Sequence, residues 1–186
     1  MQGLWITCAL LIGALLEIML GCAGVFLPLT GMVAFHFLVL RCWRLAFVLS
    51  WIFGVFVDLS YCRVFPYYLV VLPLVLFLAR FWRGYHLTYV YFVQFVPGMA
   101  IGFFSGLAAV IVQCLNYDGI VSLPVMHMIW VICKCMMLSG ICMPIVIWLL
   151  DKCSGLLGLM RYTRVGGEYL LGARSEIMED ESDVLP

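Results

Sequence analysis

The sequence predicts an all-α integral membrane protein, a bundle of six transmembrane helices over residues 1–160 followed by a polar tail over 161–186. Three observations predict it. Of 186 residues, 66% are hydrophobic and 11% charged, and the mean hydropathy is +1.16. That is more apolar surface than a soluble domain of this length can bury. The apolar residues come in long runs without strand-like alternation, so helices, which satisfy their own backbone polar groups in lipid, are favoured over a barrel. Finally, the pairs Arg41/Arg44 and Arg80/Arg83 divide the runs with gaps only long enough for the chain to turn back.

The segments fall at about 4–26, 27–40, 43–60, 66–81, 86–115 and 124–150. In the first, Ala9, Gly13, Glu17 and Gly21 recur every four residues, so Glu17 shares the face of small residues that pack against other helices. The second opens at Pro28, a residue suited to a helix N-terminus. Its fourteen residues reach only ~21 Å, short of the ~30 Å hydrocarbon core, so it is expected to lie tucked against protein. The third carries a stripe of Ser50, Gly54 and Asp58, with Asp58 near its far end, placed to meet water, a neighbouring helix or the following loop. The pair Arg80/Arg83 marks the end of the fourth. The fifth has Gln94, Gly98, Gly102 and Gly106 on one face, two overlapping Gly-x-x-x-Gly steps that define a helix-packing or partner interface. In the sixth, Lys134 shares a face with His127 and Leu138.

Charge placement sets the expected topology. With six passes and both termini in the cytoplasm, Arg41, Arg44, Arg80, Arg83, Lys152, Arg161, Arg164 and Arg174 lie inside and Arg63 lies outside. Deleting the short second pass would put the two arginine pairs on opposite sides. These pairs are expected to face anionic lipid headgroups at the cytoplasmic surface. Within the bilayer, Glu17 and Lys134 sit at similar expected depths, about nine and ten residues below the outer end. They are predicted to form an ion pair, because an isolated charge there costs ~2.5–3.5 kcal/mol or more. Tyr67, Tyr68, Tyr85, Tyr89, Tyr91 and Trp82 lie near segment ends, as an interfacial aromatic belt would. The tail after Arg164 holds Arg174 against six acids, from Glu168 to Asp183, and reads as a solvated, disordered cytoplasmic extension.

The chemistry expected is limited. Most of the nine cysteines fall in apolar runs, where Cys behaves as a small hydrophobe, and Cys133-x-Cys135 lacks the spacing and second pair of a zinc site. No phosphate-binding loop, nucleophile elbow, metalloprotease helix or dinucleotide fingerprint is present. The expectation is a non-enzyme with no catalytic, cofactor-binding or metal-binding residue and no nucleic-acid partner.

Residues 27–84 carry one family pattern: Pro28 ahead of a short apolar run, the Arg41–Arg44 turn, the step Gly54-x-x-x-Asp58-Leu59, then Pro66 ahead of another apolar helix. This arrangement resembles the rod shape-determining membrane protein MreD family, with Ser60-Tyr61-Cys62-Arg63 departing from the family's usual glycine-containing loop. The resemblance implies a non-catalytic scaffold in the bacterial inner membrane. It would bind the bitopic protein MreC and, through it, couple MreB filaments to peptidoglycan synthesis by RodA and a class B penicillin-binding protein. It also implies the six-helix architecture of the substrate-binding subunit of energy-coupling-factor transporters. An alternative follows from that likeness: a vitamin-binding membrane subunit, its pocket drawn from His127, Trp130, Asp58 and Gln94.

Overall fold

The computed structural model describes residues 2–40, 43–61, 66–83, 91–116 and 125–157. Among these are six α-helices and no strand: α1 (Gln2–Cys22), α2 (Leu29–Val39), α3 (Trp43–Ser60), α4 (Tyr67–Arg83), α5 (Phe95–Asn116) and α6 (Val125–Leu156). A 3₁₀ turn, Tyr91–Gln94, leads into α5. Helices α1 and α6 and the stretch Phe95–Val112 of α5 are each long and apolar enough to cross a membrane. By helix length and composition, this is a helical membrane protein.

The short second segment becomes the centre of the fold. All eleven residues of α2, Leu29–Val39, are buried. A helix with no exposed residue has protein on every side, and α2 touches α1, α3, α4, α5 and α6. At ~1.5 Å per residue it rises only ~17 Å, about half of the ~30 Å hydrocarbon thickness. Both of its ends therefore lie within protein, and their backbone groups need partners there.

Helix α1 buries Ile6, Ala9, Leu10, Gly13, Ala14 and Glu17 on one stripe. It exposes Leu4, Leu11, Ile12, Leu15, Leu16 and Met19 on the other, the division expected of a helix between lipid and protein. It stops earlier than the sequence suggests, at Cys22, because Gly24 takes a left-handed backbone (φ 77°). The Val25 N–H bonds the Leu20 carbonyl at 2.9 Å and the Gly24 N–H bonds the Gly21 carbonyl at 3.0 Å, a Schellman closure that satisfies the last carbonyls. Helix α6 instead runs beyond residue 150 to Leu156, passing through Pro144, which neighbouring helices can accommodate in a membrane span.

Two packing units surround α2. Helices α1, α3 and α4 lie against it and one another, while α5 and α6 form their own long seam. Tyr67, Tyr68 and Trp82, expected in an interfacial aromatic belt, are buried instead. Both tyrosines start α4 on its protein-facing side, where Tyr68 rests against Gly54 and Tyr67 stacks edge-on against Phe26. Tyr85 and Tyr89 and the acidic tail lie outside the described residues.

Candidate functional site

The polar groups inside the bundle converge on the ends of α2 and α4. Pro28, ahead of α2, offers no side-chain cap, so the first N–H groups of α2 look elsewhere. Glu17 of α1 supplies the acceptor: its Oε2 takes the Thr30 N–H at 2.9 Å. A carboxylate at a helix N-terminus also lies at the positive end of the helix dipole. The other oxygen, Oε1, accepts the Tyr68 hydroxyl at 2.5 Å. Tyr61 completes this corner by donating its hydroxyl to the Glu17 carbonyl at 2.8 Å. Gly21 makes room for it, since a Cβ there would lie 1.8 Å from the Tyr61 hydroxyl.

The same device recurs one hairpin later. Asp58, near the end of α3, accepts the Tyr68 N–H through Oδ2 at 2.8 Å, at the Pro66-led start of α4. Tyr68 thus joins both acids, Asp58 through its backbone and Glu17 through its phenol. At the opposite end of α2, Arg83 Nη2 donates to the Leu38 carbonyl at 2.5 Å and to the Leu40 carbonyl at 3.1 Å. A cation at a helix C-terminus complements the dipole as the carboxylate does at the other end. Helix α2 is held at both poles by charged side chains from other helices.

Lys134 takes no part in this frame. Glu17 is 1% exposed, whereas Lys134 is exposed on α6, and the expected ion pair is not formed. The reason is facing: Lys134 projects from the exposed side of α6, while its neighbour Cys135 is the buried residue, near enough to Glu17 for the carboxylate to act on it electrostatically. The Trp5 indole N–H bonds the Ser154 Oγ at 3.1 Å and ties the other ends of α1 and α6 together.

The glycine stripe of α5 lies against α6. A Cβ on Gly98 would fall 2.5 Å from Met143 Cβ and 2.7 Å from the Ser139 carbonyl oxygen. One on Gly102 would fall 2.6 Å from the Cys135 carbonyl oxygen, and one on Gly106 3.0 Å from Ile132 Cα. Gln94, fully buried, closes the turn that starts this helix. Gly54 is placed differently, against Tyr68 and Leu72 of α4. Of the basic pairs, Arg44 and Arg80 are exposed, Arg83 is half-buried, and Arg41 lies outside the described residues.

Sequence reasoning missed Asp151, 5% exposed on α6 and near enough to fully buried His36 of α2 to act on it electrostatically. The signal available was an acid beside a run of apolar residues, Leu149-Leu150-Asp151. Among the described residues, no three of the His, Cys, Asp and Glu side chains gather as a metal set.

Fold and polar frame together define a helical membrane bundle whose internal acids hold helix ends. Comparison with protein-family models, curated proteins and solved structures gave no match.

Proposed function

We propose that this chain is a non-catalytic scaffold of the MreD type. It would sit in the bacterial inner membrane as six passes with cytoplasmic termini, binding an MreC-like bitopic protein and through it serving MreB, RodA and a class B penicillin-binding protein. The observation that carries the reading is the use of the membrane-embedded carboxylates. Glu17 and Asp58 each accept a backbone N–H at the start of a neighbouring helix, so both contribute rigidity to the bundle. A rigid body with apolar outer faces suits a protein that positions others. Asp58 and Gly54, which carry the family resemblance, both serve the α3–α4 hairpin.

Co-purification in mild detergent is the test. The full chain should retain an MreC-like partner, and clean separation of the two would count against the assignment. Topology has its own check: alkaline phosphatase fused after Gly84 is expected to be inactive, because that position follows the cytoplasmic Arg80/Arg83 pair. Strong phosphatase activity there would reverse the orientation.

The alternative, a vitamin-binding subunit of an energy-coupling-factor transporter, draws less support. Of the residues it would recruit, His127 and Trp130 are exposed on α6, and Asp58 is engaged with α4. Tight binding of a vitamin by the purified chain would restore it.

A further inference from the structure

Where α2 and α4 end together, a half-open cavity of about 290 Å³ is lined by Leu38, Leu76, Arg80 and Arg83. It is near the small end of the ~300–1,000 Å³ range of ligand pockets. The α4 residues recur at i, i+4 and i+7, one face of the helix, so both guanidiniums and one leucine meet the same space. No acid lines it among the described residues.

The two arginines are used differently. Arg83 gives Nη2 to the α2 carbonyls, yet its Nε is buried with no hydrogen-bond acceptor among the described residues. A buried donor of this kind calls for a partner. Arg80, one turn earlier, is exposed and makes no hydrogen bond or salt bridge to any described residue. Two guanidiniums in one recess, with a net positive field and forked donors, match the oxygens of a phosphate. The leucine half of the lining suits the apolar continuation of a lipid better than a fully hydrated ion. Arginines in the last turn of a membrane helix also lie where headgroups are.

We propose that this cleft is a phosphate site that takes the headgroup of one anionic phospholipid. Arg80 supplies the free charge, and Arg83 bridges the ligand to the C-terminus of α2. A bound headgroup thereby tightens the end of the buried helix. The inference is independent of the rod-complex reading, and failure to co-purify an MreC-like protein would leave it untouched.

Native mass spectrometry of the delipidated full chain, titrated with phosphatidylglycerol, phosphatidylcholine or inorganic phosphate, is the test. One phosphatidylglycerol should be retained per chain in preference to phosphatidylcholine. Arg80→Gln should weaken that retention about fivefold, with Arg80→Lys intermediate and the unfolding temperature in lipid-free detergent unchanged. Lys152→Gln removes the same charge from exposed α6 and should retain the lipid as the unaltered chain does. Unchanged retention in Arg80→Gln, or an equal loss in Lys152→Gln, would overturn the site. Displacement of the lipid by inorganic phosphate at equal concentration would overturn the lipid as its occupant.

Discussion

Gly102→Leu should separate α5 from α6 and leave the chain unfolding at a much lower temperature in detergent. Even a methyl group at this position would lie 2.6 Å from the Cys135 carbonyl oxygen, 2.8 Å from Met136 Cα and 2.8 Å from Ser139 Cβ. Two of these are backbone atoms of the facing helix, which no rotamer change can move. Helices in lipid have little hydrophobic drive to associate, so close backbone approach through small residues carries much of the contact. Overpacking of this kind costs about 1–3 kcal/mol for one added methyl group and more for leucine. Gly102→Ala should therefore fall between the unaltered chain and Gly102→Leu in a thermal unfolding series. Wild-type unfolding of the leucine variant would exclude this seam. Normal unfolding with loss of the MreC-like partner would instead make the stripe a partner surface.

Glu17→Ala should be the most damaging change among the charged residues. It strips the acceptor from two donors at once, the Thr30 N–H and the Tyr68 hydroxyl, at a buried position. Each buried donor left unsatisfied costs ~1–3 kcal/mol, so a loss of about 2–6 kcal/mol is expected. Denaturant unfolding in micelles would read it. Glu17→Gln keeps one carbonyl acceptor and should lose less. Lys134→Gln should change stability by less than ~0.5 kcal/mol, as exposed substitutions usually do, and should not rescue Glu17→Ala. Rescue would return Lys134 to the role of ionic partner, contrary to its exposed placement.

These two sites differ in how far the sequence reveals them. The face shared by Gly98, Gly102 and Gly106 is legible because small residues four apart fall on one side of any helix. Which helix fills that face is not legible, since no residue of α6 announces its complement. Glu17 can be placed on a packing face from Ala9, Gly13 and Gly21. Its partners cannot be read the same way. Charge pairing suggests Lys134, whereas the actual donors are the backbone of Thr30 and a phenol fifty-one residues away. Backbone demand at a helix end becomes visible only once it is known that α2 stops inside the protein. Tyr67 and Tyr68 are similarly ambiguous in the sequence: tyrosines near segment ends suit the membrane interface, yet both are buried at the start of α4.

The clamp on α2 also fixes an order of assembly. Its eleven residues are too few to be stable across lipid alone, and two of the residues that secure it, Tyr68 and Arg83, are encoded downstream of it. During synthesis the clamp cannot close until the chain has been made through Arg83. Seating of α2 therefore follows the making of α3 and α4, before α5 and α6 are needed for it.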